Sequence, residues 1–198
     1  GLWDMEDNLD VLAAIEKPSR YLGSEINAVR KDPSRVKLRM ALAFPDLYEI
    51  GTSHFGLQIL YHILNRRPEI AAERVFAPAL DMEAHLRKTG GRLFSLESHT
   101  PLERFDIVGF SLLYELNYTN VLTMLELGGI PWPAADRDAR HPLVIAGGPC
   151  TCNPEPVAEF FDAMVVGDGE DVVAEMARAW IEWKESVASD RQRLLKRW

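Results

Sequence analysis

Two cysteines are all that the 198 residues contain, and they stand together as Cys150-Thr151-Cys152. A pair so placed cannot staple a secreted scaffold, which relies on several loops closed by disulfides. Positive charge is also short: 22 Lys and Arg face 30 Asp and Glu, for a net charge of −8. With no basic excess to neutralise phosphates, a binder of nucleic acid or of an anionic membrane is not expected. No apolar run approaches the roughly 20 residues of a membrane helix, and the amino-terminal stretch has no signal-peptide core. Apolar residues nevertheless make up 47% of the chain. At this length they suffice to bury roughly 70% of the unfolded surface, which excludes a disordered chain. The expectation is a soluble, cytoplasmic globular domain.

The pattern along the chain is that of strands alternating with helices. Residues 1–35 read as an extension: a short acidic helix over Gly1–Ile15, then a stretch broken by Pro18 and Gly23. From Val36 to Phe44 the sequence alternates and then becomes continuously apolar, as a strand covered on both faces does. Ser53 is placed to cap a helix whose Leu57, Leu60, Tyr61 and Leu64 share a face. Short strands are expected at Arg74–Ala77, Ile107–Leu113, Leu143–Ala146 and Ala163–Val166, with a further edge strand at Leu93–Leu96. Helices are expected from Asp81 to Gly90, around Asn120, and from about Val173 onward. Such alternation implies right-handed βαβ units and a doubly wound, open parallel sheet of about five strands, flavodoxin-like or Rossmann-like, over residues 36–185. Residues 186–198 are strongly charged, and read either as a solvated helix or as a linker toward a further domain.

Ligands of open parallel sheets bind outside the carboxyl ends of the strands, which selects four loops. These are Pro45–Gly56, Ser111–Tyr118, Gly147–Glu155 and Gly167–Asp171. None carries G-x-G-x-x-G at the first strand–helix turn, and there is no P-loop. Glu170 and Asp171, which follow Gly167-Asp168-Gly169, would repel a phosphate while suiting a helix start. Cys150 and Cys152 are too few for a tetrahedral metal site and read as loop thiols. No nucleophile and base can be assembled, and Glu49 and Glu115 have no evident acid–base partner. Gly147-Gly148 is different, because two residues without Cβ at a strand end let a bulky ligand approach the backbone, or else simply make a tight turn. Ser111 adds a hydroxyl at the neighbouring strand end, and the two loops frame a slot.

These loops resemble the cobalamin-binding domain at the amino terminus of many radical SAM proteins. That domain has D-x-H-x-x-G after its first strand, S-x-L after a middle strand and a later Gly-Gly. Ser111-Leu112-Leu113 and Gly147-Gly148 match the second and third parts. The first part departs: with Gly56 as its glycine, Gly51 holds the Asp place and Ser53 the place of the cobalt-ligating His, while His54 is one residue out of register. Residues 17–27, 43–51 and 114–121, together with Gly147 to Pro156 and Gly167 to Glu170, are similar to one uncharacterised family of B12-binding radical SAM proteins. The resemblance implies cobalamin as the bound cofactor, without a histidine ligand to cobalt from the first loop. It implies contacts from Pro45, Gly51, Ser53, His54, Gly56, Ser111, Leu112, Leu113, Tyr114, Gly147, Gly148, Pro149, Gly167 and Gly169. It also implies a downstream radical SAM barrel holding a [4Fe–4S] cluster and S-adenosylmethionine, whose C-x-x-x-C-x-x-C thiolates are not in these residues. A module of the same fold that docks or recognises substrate without cofactor is the alternative, and a self-contained enzyme using His54, Glu49 or Cys150 is a more distant one.

Overall fold

The computed structural model describes residues 11, 13, 15–186, 191–196 and 198. Most of the expected helix over Gly1–Ile15 lies outside the described residues. Five strands form one sheet: β1 (Leu38–Phe44), β2 (Ile70–Phe76), β3 (Ile107–Ser111), β4 (Leu143–Gly147) and β5 (Ala163–Met164). All pairings are parallel and the order is β2-β1-β3-β4-β5, the flavodoxin-type arrangement. Among the described residues, five α-helices longer than one turn accompany them: α1 (Phe55–Asn65), α2 (Leu80–Thr89), α3 (Tyr118–Leu127), α4 (Gly169–Glu185) and α5 (Arg191–Leu195), with a single helical turn at Tyr48–Gly51 in the first loop. No helix of the described residues is long and apolar enough to cross a membrane.

Strand alternation sorts the core into two layers. Leu38, Met40, Leu42 and Phe44 of β1 point to one face with Ile107, Leu143 and Ile145, and meet Leu57 and Leu64 of α1 and Val173, Met176 and Trp180 of α4. Ala41 and Ala43 point the other way with Val108, Phe110, Val144 and Ala146, and meet α2 through Met82 and Leu86 and α3 through Val121, Met124 and Leu125. Both faces are thus covered, which is why the strands read as nearly unbroken apolar runs. Trp180 belongs to this packing and not to a ligand surface, at 3% exposed.

The outer side of β2 is closed by side chains. The Asn65 amide donates to the Ala72 carbonyl and accepts from the Ala72 N–H, and Glu97 accepts from the Arg74 N–H. Among the described residues one main-chain bond follows, from the Leu96 N–H to the Arg74 carbonyl. The expected edge strand at Leu93–Leu96 is therefore absent: the Glu97 carboxylate takes the Arg74 N–H that a ladder would use, and Phe94 makes only a single antiparallel bridge, to Pro101. On the opposite face of β2, buried Glu73 accepts from Arg39 and from the hydroxyls of Ser95 and Ser98.

The extension is held by specific bonds. Glu49 accepts both Arg20 contacts at 2.9 and 3.0 Å, and Glu25 accepts from the Tyr48 hydroxyl at 2.7 Å and from Arg74 at 3.0 Å. The Val29 N–H donates to the Tyr61 hydroxyl. Gly23 has φ of +56°, and a Cβ there would stand 1.9 Å from the Leu96 carbonyl oxygen, so the chain passes this point only as glycine. Burial and the adjoining Glu25 carboxylate push the Tyr48 hydroxyl up to about 12. Burial works to raise Glu25, but the Tyr48 hydroxyl and Arg74 outweigh it and hold the carboxyl below its ordinary value.

At the amino ends of β4 and β5, Asp162 is a buried hub. It accepts from Arg137, from the Val144 N–H and from Arg191 of α5. Arg137 is itself buried and also donates to the carbonyls of Pro131, Trp132 and Phe160. Leu194 of α5 is buried in the α1–α4 layer, so residues 191–195 of the expected linker pack against the domain.

Replacing Asp162→Ala leaves the Arg137 guanidinium buried without its carboxylate, and we expect a loss of about 3–5 kcal/mol, read from urea unfolding. Tyr48→Phe tests the extension. A raised tyrosine pKa contributes stability that is present below about 10 and lost as pH rises toward about 12, whereas the lowered Glu25 contributes stability that is lost as pH falls through its folded value. The variant should be less stable than the native chain at neutral pH, and the gap should narrow near about pH 11 in the same unfolding experiment.

Candidate functional site

The face of the sheet toward α1 and α4 loses its side chains as β3 and β4 approach their carboxyl ends. Ile107 is followed on that face by Gly109 and Ser111, and Leu143 and Ile145 by Gly147. The register sets Gly109 beside Ile145 and Leu42, and Ser111 beside Gly147. Three successive small residues in adjacent strands thus make a trough where large apolar residues would otherwise stand. Met40, Leu42, Ile145, Leu60, Val173 and Met176 form its apolar floor and walls. It opens at the carboxyl ends of the strands as a cleft of about 460 Å³, within the range of small-molecule and cofactor sites.

Nine of the fourteen expected contact residues line this cleft: His54, Gly56, Ser111, Leu113, Gly147, Gly148, Pro149, Gly167 and Gly169. The other five do not. Pro45 is buried behind the first loop, and its carbonyl accepts from Asn120. Gly51 is packed beneath two aromatic rings, where a Cβ would stand 2.2 Å from Phe76 and 2.9 Å from Phe44. Leu112 is buried in the opposite core layer. Tyr114 is exposed. Ser53 does not cap α1, because its hydroxyl donates back to the Ile50 carbonyl and closes the preceding turn. The cap is His54, whose Nδ1 accepts from the Leu57 N–H at 3.2 Å. Its ring packs on Phe44, 5.4 Å between centroids, and on Gly56, where a Cβ would approach the ring at 2.8 Å.

The Gly-Gly loop is fixed from below by the backbone of Leu112. The Leu112 N–H donates to the Gly147 carbonyl at 2.8 Å, and the Cys150 N–H donates to the Leu112 carbonyl at 3.1 Å. The Thr151 hydroxyl bridges to the carbonyls of Gly148 and Val165, tying this loop to the one after β5. Gly148 has φ of +105°, and a Cβ there would stand 2.8 Å from the Leu112 carbonyl oxygen. Gly147 is the reverse case: a Cβ would meet nothing within 4 Å. One glycine is needed by the backbone, whereas the other leaves room.

Cys152 is exposed on the cleft wall and Cys150 is buried beside Tyr118. Burial, with the nearby charge of Glu115, pushes the Cys150 thiol up and keeps it protonated at neutral pH. Glu49, a candidate base, is instead engaged by Arg20 and Lys17. Among the described residues, no three His, Cys, Asp or Glu side chains gather into a metal-ligating group. Gly109 and the apolar lining from Met40, Leu42, Leu60, Ile145, Val173 and Met176 were not among the expected contacts. Gly109 alone offered a signal, as a glycine inside an apolar strand.

A flavodoxin-type α/β domain with an apolar cleft at its strand ends is the class these features define. The chain belongs to the family described as radical SAM proteins, N-terminal, whose profile matches residues 56–198. It is also similar to the uncharacterized protein MJ0966 of Methanocaldococcus jannaschii, 25% identical over 139 residues. That match covers 68% of this chain and 25% of the relative, so the chain spans about a quarter of that protein's length.

The two glycines should separate in experiment. Gly148→Ala meets both a strained φ and the Leu112 carbonyl, and should lower stability by about 1–3 kcal/mol. Gly147→Ala should leave stability within about 0.5 kcal/mol of the native chain. Thermal or urea unfolding of the pair checks both expectations.

Proposed function

We propose that this domain binds a corrinoid and presents it to a radical SAM domain elsewhere in the same protein. The observation that carries this reading is the trough left by Gly109, Ser111 and Gly147, walled by α1 and α4. A flat, largely apolar group attached to a bulkier polar one fits such a site, because the trough accepts the flat part and the open mouth accepts the rest. The nucleotide tail of cobalamin has that shape. Ser111, Leu113, Gly147 and Gly148 hold the tail, and the loops bearing His54, Pro149 and Gly167–Gly169 flank the corrin. When bound, the corrinoid supplies cobalt-centred methyl or electron transfer; the protein contributes position and a dry, shaped surface. The whole protein then carries a [4Fe–4S] cluster and S-adenosylmethionine in its radical SAM part, in keeping with the family.

A second reading, a docking module without cofactor, is favoured by the apolar residues around the mouth. Phe55 is 78% and Leu116 90% exposed, and Ile50, Tyr114 and Val166 are exposed as well. Patches of this kind mark surfaces that meet a partner or a ligand.

The test is anaerobic titration of the chain with hydroxocobalamin and methylcobalamin, followed by desalting and absorption spectra. Near-stoichiometric retention is expected, together with its loss in Gly147→Val, whose side chain fills the trough while far-ultraviolet circular dichroism stays native. No retained corrinoid from a folded native chain would leave the docking module as the better account.

A further inference from the structure

His54 has one ring nitrogen committed and one free. Nδ1 caps α1 by accepting from the Leu57 N–H, so it carries a lone pair and no proton. In a neutral imidazole the proton then sits on Nε2, because the hydrogen bond at one ring nitrogen fixes the tautomer at the other. Among the described residues Nε2 has no hydrogen-bond partner, and it is not one of the buried unsatisfied atoms. The ring lines the cleft and is steadied by Phe44 on one side and Gly56 on the other. We infer that His54 is a fixed Nε2–H donor to an acceptor atom of the bound ligand, and that it is not a metal ligand. Coordination through Nε2 would need the proton on Nδ1, where it would face the Leu57 N–H and undo the cap. The inference rests on the corrinoid reading for the identity of the acceptor, which is an amide carbonyl of the corrin rim or the phosphate of the nucleotide loop. The tautomer itself does not depend on that reading.

The test uses the chain uniformly labelled with ¹⁵N. Without any ligand, long-range ¹H–¹⁵N spectra, with His54 assigned by its absence in His54→Gln, should show the Nε2-protonated form. The Nδ1-protonated form overturns the assignment whether or not corrinoid binds. With cob(II)alamin bound, electron paramagnetic resonance should be identical for labelled and unlabelled chains. A change in nitrogen superhyperfine pattern on labelling places a protein nitrogen on cobalt and overturns it as well. His54→Asn keeps a good helix cap through its Oδ1, and its side chain, shorter than the imidazole, withdraws the donor from the ligand's acceptor. It should weaken cobalamin about three- to tenfold, as for one neutral hydrogen bond, with folding unchanged. A parallel loss for cobinamide places the acceptor on the corrin rim, and a loss for cobalamin alone places it on the nucleotide loop. Unchanged affinity for both overturns the donor role. Failure of the native chain to retain any corrinoid counts against the proposed function, and the ligand-free spectrum still decides the tautomer.

Discussion

The cleft depends on the register between β3 and β4. Ser111 stands beside Gly147, and the next residue, Leu112, uses both its N–H and its carbonyl to hold the Gly147–Cys150 loop. In a sheet, a slip of one residue turns every side chain to the opposite face. Here a slip of β3 would put Phe110, and a slip of β4 Ala146, on the face where Gly109, Ser111 and Gly147 leave space. The trough therefore exists only because backbone pairing places small residues side by side on one face. Leu112 contributes no side chain to the cleft, yet its main chain is the anchor of the cleft's most open wall.

Much of this was legible in the sequence. Alternating apolar runs and amphipathic segments implied the parallel sheet, and the strand-end rule picked the loops that in fact converge. Ser111, Gly147 and Gly148 were recognisable because two residues without Cβ beside a hydroxyl at neighbouring strand ends let a ligand approach the backbone. The misses have physical causes. Ser53 has the ordinary chemistry of a cap, but its hydroxyl is drawn back to Ile50, and the histidine beside it takes over. Gly51 looked like part of a binding motif and is instead the floor under Phe44 and Phe76. Leu93–Leu96 is apolar enough for a strand, but a single carboxylate ends its pairing. Such outcomes turn on side chains distant in sequence, to which local pattern is blind.

Ionic contacts in this acidic protein are concentrated where irregular chain meets the sheet. Arg20, Arg39 and Arg74 secure the extension and the segment after α2, and Arg137 and Arg191 converge on Asp162. In each case a guanidinium satisfies several acceptors at once, which its planar fork suits better than a lysine would. The loops that frame the cleft, by contrast, are set mainly by main-chain and hydroxyl bonds.

Both margins of the sheet are closed to growth. On one side the amide of Asn65 and the carboxylate of Glu97 occupy the donors and acceptors that a new strand would need; on the other, β5 is two residues long. An exposed, regular margin invites strand addition, swapping and fibril growth. Among the described residues the sheet offers no such template, so a neighbouring polypeptide can lie against this domain without its sheet being extended by accident.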